Sequence, residues 1–242
     1  MSLTITPLEG MPEVTAGADV ANLVAGCHAL EDGDVVVLAQ KVVSKAEGRV
    51  VRLDELEPSA RAVELSGANG DPRHVEAILR EAVRVVRSRG GLVIAETRHG
   101  FVCASAGVDA SNAPGPGTLV LLPLDPDASA HGIRDRLREL TGAGVAVIVS
   151  DSFGRPWRQG TTDVAIGVAG LAPLLDLRGT KDASGYELRS TQIAVADELA
   201  GAAELVMGKS TGVPGAVIRG YRPDGDGSAS ELVMPPERDL FR

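Results

Sequence analysis

The chain has 242 residues, 44% hydrophobic and 24% charged, which excludes a disordered, collagen-like or coiled-coil protein and fits one or two folded domains. A formal net charge of −9 leaves no overall positive field for nucleic acid or an anionic membrane, so an anionic ligand requires a local cluster of cations. Only 2% of residues are aromatic, too few for a base-stacking surface.

Cys27 and Cys103 are too few for a disulfide framework and form no C-x-x-C pair, so a reducing cytoplasm is the expected location. The opening MSLTITPLEGMPEV lacks a basic segment followed by an apolar one, and no apolar run approaches the roughly 18 residues of a membrane-spanning helix.

In chain order, Val20, Leu23, Val24 and Cys27 have helical spacing, and the apolar run 35–39 reads as a buried strand. Val75, Ile78, Leu79, Ala82, Val83 and Val86 predict one helix, opened by Asp71 and Pro72 and closed by Gly90 and Gly91. Further buried strands are expected at 92–95, 119–122, 145–149, 164–168 and 216–218. Helices are expected around Ile133, Leu137 and Leu140, and from Ile193 through Ala196, Ala200 and Ala203 to Met207. The mixture predicts an α/β or α+β fold. The Gly/Pro-rich stretch 112–117 (NAPGPG) is the weakest joint, and 224–230 (DGDGSAS) reads as a mobile loop.

Four segments carry residue types suited to phosphate and metal chemistry. VAVIVSDSFGRPWR (145–158) places Asp151 and Ser152 after an apolar strand, in an expected loop where a carboxylate and a hydroxyl suit a hard divalent cation; an ordinary Asx turn is the alternative. GVDASNAP (107–114) offers Asp109 and Asn112, again within a plain turn composition. GKSTGVPG (208–215) surrounds Lys209 with glycines and hydroxyls, as a nest of N–H donors for phosphate or as a glycine helix cap. It is not a P-loop: Ala203 replaces the first glycine, and the segment runs from helix to strand. QKVVSKAEGR (40–49) spaces Lys41, Lys45 and Arg49 four apart, as a solvated face or as the local positive charge for a nucleotide. The four histidines have no metal spacing and receive no role.

Together, LEGMPEV, QKVVSKAEGR, ETRHGFVCASAGVDASN, SDSFGRPWRQG followed by VAIGVAG, and ELVMGKSTGVP, in that order, resemble the coenzyme F420-0:gamma-glutamyl ligase family from about Leu8 to Gly220. The resemblance implies GTP-dependent attachment of L-glutamate to a deazaflavin precursor, coenzyme F420-0 or a dehydro form, through an acyl phosphate. It implies an α/β fold with mixed sheets in an intertwined homodimer. It further implies a single ligase unit over 1–242, without the nitroreductase-like domain that follows it in bacterial two-domain members.

Carried over position by position, the resemblance implies GTP contacts at Met11, Pro12, Glu13 and Val14, at Gln40 and Lys45, and at Asn112. It adds Met207, Gly208, Lys209, Ser210, Thr211, Gly212, Val213 and Pro214. Asp109, Asp151 and Ser152 match ligands of two Mg2+ or Mn2+ ions, with K+ also expected. The chain departs from the archaeal pattern at Lys209, where a glutamine metal ligand is replaced by an amine that, protonated, neutralises phosphate instead. Arg155 and Arg158, as bidentate forks, are candidates for a substrate carboxylate. Asp109, Asp151 and Lys209 form the expected catalytic set. Two other readings fit the same residues: the same ligase chemistry on another acyl acceptor, and a nucleotide-binding module without catalysis.

Overall fold

A computed structural model describes residues 2–68 and 70–240. In chain order the elements are β1 (Thr4–Pro7), α1 (Val20–Cys27), β2 (Val35–Ala39), α2 (Gln40–Ala46), β3 (Val50–Arg52), α3 (Ala60–Ser66), α4 (Pro72–Glu81), β4 (Ala82–Arg89), β5 (Leu92–Thr97), β6 (Val102–Ala104) and β7 (Thr118–Val120). There follow α5 (Pro126–Thr141), β8 (Ala146–Arg155), β9 (Arg158–Ala169), β10 (Leu175–Asp176), β11 (Gln192–Ile193), α6 (Val195–Met207) and β12 (Gly215–Arg219). This is the mixed α/β content expected from the sequence. Among the described residues no helix is long and apolar enough to cross a membrane.

The principal sheet has the order β1-β12-β2-β8-β9, antiparallel except for the central parallel pair β2–β8. The pair is buried on both faces, which is why VVVLA and AVIV are unbroken apolar runs rather than alternating ones. Alternate residues divide between two cores. Val36, Leu38, Val147, Val149 and Val217 pack with Val24 of α1 and Leu137 of α5. Val35, Val37, Ala146, Ile148, Ala216 and Ile218 pack with Leu199, Ala203 and Met207 of α6. A third cluster joins α3 and α4 to β5 and β7.

The predicted helix opening at Asp71 is shorter than its periodicity suggested. Asp71 caps it through the Arg73 N–H, and it ends at Glu81. Ala82, Val83 and Val86 belong instead to β4, which folds back on β5 around Gly90 and Gly91. Those glycines have φ of 55° and 86°, the two positive values that a tight two-residue hairpin turn needs. They turn a hairpin rather than stop a helix, and the β-branched run favours strand once that turn is available. Ile193 likewise lies in β11, one residue before the N-cap of α6.

The segment 224–230 is held in place rather than loose. Asp224 O accepts from Ala172 N and Asp226 Oδ1 from Gly170 N, while Asp127 at the start of α5 accepts from Ala229 N and Ser228 Oγ. Asp127 also accepts from Val168 N, Asp197 from Ala165 N and Glu204 from Asp163 N. Three helix carboxylates thus occupy N–H groups of β9, an edge strand whose outer donors would otherwise be open to another chain.

At the far end of the sheet, Asp34 is 1% exposed and receives both forks of Arg219, at 2.8 and 2.7 Å. Burial works to raise its pKa, but the Arg219 hydrogen bonds, the Glu31 N–H and the Arg219 charge together hold it below the ordinary 3.8. A depressed folded pKa contributes stability that is complete above the unfolded value and is lost as pH falls through the folded one. Asp34→Asn therefore lowers the thermal midpoint by about 5 °C at pH 7, and the gap to the parent closes as pH drops below about 4. Thermal melts across pH check this; a gap that persists at pH 2 assigns the loss to something other than the charge.

Candidate active site

The carboxyl ends of the parallel strands β2 and β8 open into a cavity of about 590 Å3, the position where open α/β sheets bind ligands. Its walls are 11–14 after β1, the first turns of α2, the stretch 112–115, the β8–β9 hairpin, and the end of α6 with the loop 208–214. The Gly/Pro-rich stretch expected as a joint therefore forms cavity wall, with Asn112 at a left-handed φ of 52° and its Nδ2 donating to Lys209 O.

Most of the sequence-predicted positions converge here. Met11, Pro12, Glu13, Val14, Gln40, Lys45, Asn112, Asp151, Ser152, Met207, Gly208, Lys209, Ser210, Gly212, Val213 and Pro214 all line the cavity. Thr211 does not; its hydroxyl donates back to Met207 O at the end of α6. Gly208, with φ 64°, caps α6, as the helix-cap reading expected, and also lines the cavity wall. Arg155 and Arg158 face each other at the hairpin tip, away from the lining.

Asp151 and Ser152 lie within β8 rather than in a loop after it, because β8 continues to Arg155. Burial pushes the Asp151 carboxyl up to about 7; the Ser152 N–H and the charges of Lys41 and Lys209 pull down, and the nearby Asp163 pushes up. Asp109 is not part of the wall but is tied to it by Lys41, whose ammonium donates to Asp109 and to Ser111 Oγ at 2.7 Å. Burial opposes ionisation of Asp109, yet the Lys41 and Ser111 hydrogen bonds overcome it and hold its pKa low. The approach to Asp109 is constrained: Ser105, Ala106 and Gly107 all take left-handed φ values. A Cβ on Gly107 would lie 2.5 Å from the Leu122 side chain, so only glycine fits.

Three groups of the wall were not identified as site residues from the sequence. Lys41 figured only as a member of a charge run. Asp163, on β9, accepts from Ser150 Oγ at 2.9 Å and Ser152 Oγ at 2.5 Å. Glu204, on α6, accepts from Asp163 N at 2.9 Å. The hairpin tip pairs Arg155 with Arg158, and simple extrapolation would put Ser152 opposite Thr161; a register shift beyond Gly154 brings Asp163 there instead. That shift has no signature in composition.

Chemically the cavity presents oxygen donors for a hard cation together with three lysines for anions. Among the described residues no three His, Cys, Asp or Glu side chains form a ready-made metal cage. Cations held here would complete their coordination with substrate oxygens, as Mg2+ does with nucleotide phosphates. Gln40 is 1% exposed; its Oε1 accepts from Ser44 Oγ, while its Nε2 has no partner among the described residues. A buried, unmatched donor in a cavity wall fits a ligand acceptor.

Comparison with known proteins shows the family. The family described as F420-0:Gamma-glutamyl ligase matches residues 10–220. A Coenzyme F420:L-glutamate ligase of Methanothermobacter thermautotrophicus is 47% identical over 253 residues, covering all of both chains. That of Methanopyrus kandleri is 48% identical over 248 residues, covering 100% of this chain and 98% of its own. That of Methanocaldococcus jannaschii is 46% identical over 218 residues, covering 89% and 87%. With a family match over most of its length and full-length relatives near half identity, the chain belongs to the F420-0:gamma-glutamyl ligase family.

Proposed function

We propose that the protein ligates L-glutamate to the terminal carboxylate of coenzyme F420-0, or its dehydro precursor, at the expense of GTP. The observation that carries the reading is the convergence of Lys41, Lys45 and Lys209 with Asp151 and Ser152 at one strand-end cavity in a chain of this family. An amide does not form spontaneously from a carboxylate and an amine in water. The acceptor carboxylate attacks the γ-phosphorus of GTP, the bond to the β-phosphate oxygen breaks, and GDP and an acyl phosphate result. The glutamate amine then attacks the acyl carbon, loses a proton, and phosphate leaves as the amide forms.

In this reading 11–14, Gln40 and Asn112 hold the nucleotide, and the loop 207–214 follows its phosphates. Lys45 and Lys209 neutralise phosphate charge, which lets an anionic carboxylate approach an anionic nucleotide. Lys45 is already ordered by Glu13 at 2.5 Å. Asp109, Asp151 and Ser152 are the oxygen donors for two Mg2+ or Mn2+ ions, which when bound supply further neutralisation of phosphate charge; K+ belongs to the same proposal. Arg155 and Arg158, off the cavity wall at the hairpin tip, serve as forks for a substrate carboxylate or for glutamate. A homodimer in the cytoplasm completes the reading.

Incubation with GTP, Mn2+, L-glutamate and F420-0, followed by mass spectrometry, is expected to give glutamylated product and GDP in equal amounts. Asp109→Ala and Asp151→Ala keep the fold but lose about 10³-fold or more in kcat. Near-normal turnover by either variant overturns the assignment of the acids. GTP-induced thermal stabilisation without glutamate-dependent GDP release favours a non-catalytic module, and GDP release only with another acid moves the reading to a different acceptor.

Gln40 provides a separate check. Gln40→Leu removes the unmatched buried Nε2 donor together with the Oε1 that accepts from Ser44 Oγ, so the thermal midpoint falls by about 5 °C while GTP binding weakens about 10-fold. Calorimetric titration of both proteins with GTP measures this; equal affinities exclude Gln40 from the nucleotide site.

A further inference from the structure

We infer that Asp163 is a positioning residue: it takes the hydroxyl proton of Ser152 and so turns that oxygen's lone pairs toward the cavity, ready for a hard cation. The inference rests on the cation-dependent reading above, which names Ser152 as a donor, but its evidence comes from Asp163, Ser150 and Glu204, which that reading does not use.

A serine hydroxyl has one proton to donate and two lone pairs, and it rotates to suit its neighbours. It can serve a cation only if the proton points elsewhere. Asp163, 5% exposed, is an acceptor-only group with both oxygens committed: Oδ1 to Ser152 Oγ at 2.5 Å and Oδ2 to Ser150 Oγ at 2.9 Å. Ser152 and Asp163 are direct cross-strand partners, so the contact is fixed by the sheet register and not by a flexible loop. Asp163 is itself fixed from behind, since its backbone N–H is held by Glu204 of α6 at 2.9 Å.

A purely structural role accounts poorly for this arrangement. None of the ion pairs among the described residues includes Asp163, although it lies beside Asp151, a second carboxylate whose ionisation desolvation opposes. A buried carboxylate with no ion-pair partner of its own, set beside another acid, is expensive. Apolar residues would fill the space at lower cost, whereas a carboxylate that orients a metal-binding hydroxyl has a reason to be there.

The test uses the full chain and Mn2+ with and without GDP, following free Mn2+ by electron paramagnetic resonance, in the parent, Asp163→Asn, Ser152→Ala and the double variant. In Asp163→Asn an NH2 replaces one acceptor; facing Ser152 it donates, and the hydroxyl must turn its own proton toward the cavity. Mn2+ affinity is expected to fall 10- to 100-fold, and the double variant to bind no more weakly than Ser152→Ala alone. Equal affinity of the parent and Asp163→Asn overturns the inference. Additive losses overturn it too, because they make Asp163 a ligand in its own right. A parent that binds no Mn2+ under either condition overturns the underlying cation reading instead. Should Asp163→Asn fail to fold, as judged by thermal melting, Asp163→Glu carries the same comparison, since it keeps both acceptors but displaces them by one methylene.

Discussion

The parallel pairing of β2 with β8 is the constraint from which the rest of the molecule follows. A strand pair covered by α1 and α5 on one side and α6 on the other has no room for a charge along its length. Polar side chains are confined to the strand ends, and because the two strands run the same way their carboxyl ends coincide. Gln40 and Lys41 follow β2 directly, and Ser150, Asp151 and Ser152 occupy the matching end of β8. The site is the place where an apolar core stops.

The same geometry answers the charge problem. A protein of net charge −9 must gather cations locally to hold an anion. The first two turns of α2 present Lys41 and Lys45, and the loop after α6 brings Lys209 from the opposite wall. Acids are interleaved with them, so each of these lysines has anionic company: Lys41 with Asp109, Lys45 with Glu13, and Lys209 within electrostatic reach of Asp151. A site of this kind pre-orders its ammonium groups without carrying a large unbalanced charge before the ligand arrives.

How much of this was legible in the sequence depended on whether a signal was local. Buried strands announced themselves as apolar runs, and the segments bearing Asp109, Asp151 and Lys209 stood out because turn formers and ligand types sat together. Signals with two local explanations were harder. Val75 to Val86 kept helical spacing across what is in fact a helix end and a strand, since a 3.6-residue period and a β-branched strand can share the same valines; only the paired positive φ values at Gly90 and Gly91 separate them. Lys41 was visible as a charge, but its partner Asp109 is 68 residues away.

Asp163 and Glu204 were illegible for a deeper reason. Asp163 immediately precedes an apolar run and looks like the polar lip of a strand, and Glu204 sits in an otherwise ordinary helix. Their importance comes from a register shift in the β8–β9 hairpin and from α6 packing along β9, neither of which has a compositional trace. The two are mechanically linked. β9 is an edge strand, and its outward N–H groups need acceptors whether or not the protein has a function. Helix carboxylates meet that need at Asp163, Ala165 and Val168. At Asp163 alone the residue so anchored also reaches into the cavity. A requirement of sheet construction, the satisfaction of an exposed edge, thereby becomes a support for a hydroxyl in the cavity wall, held by backbone hydrogen bonding and sheet register rather than by the length or stiffness of any side chain.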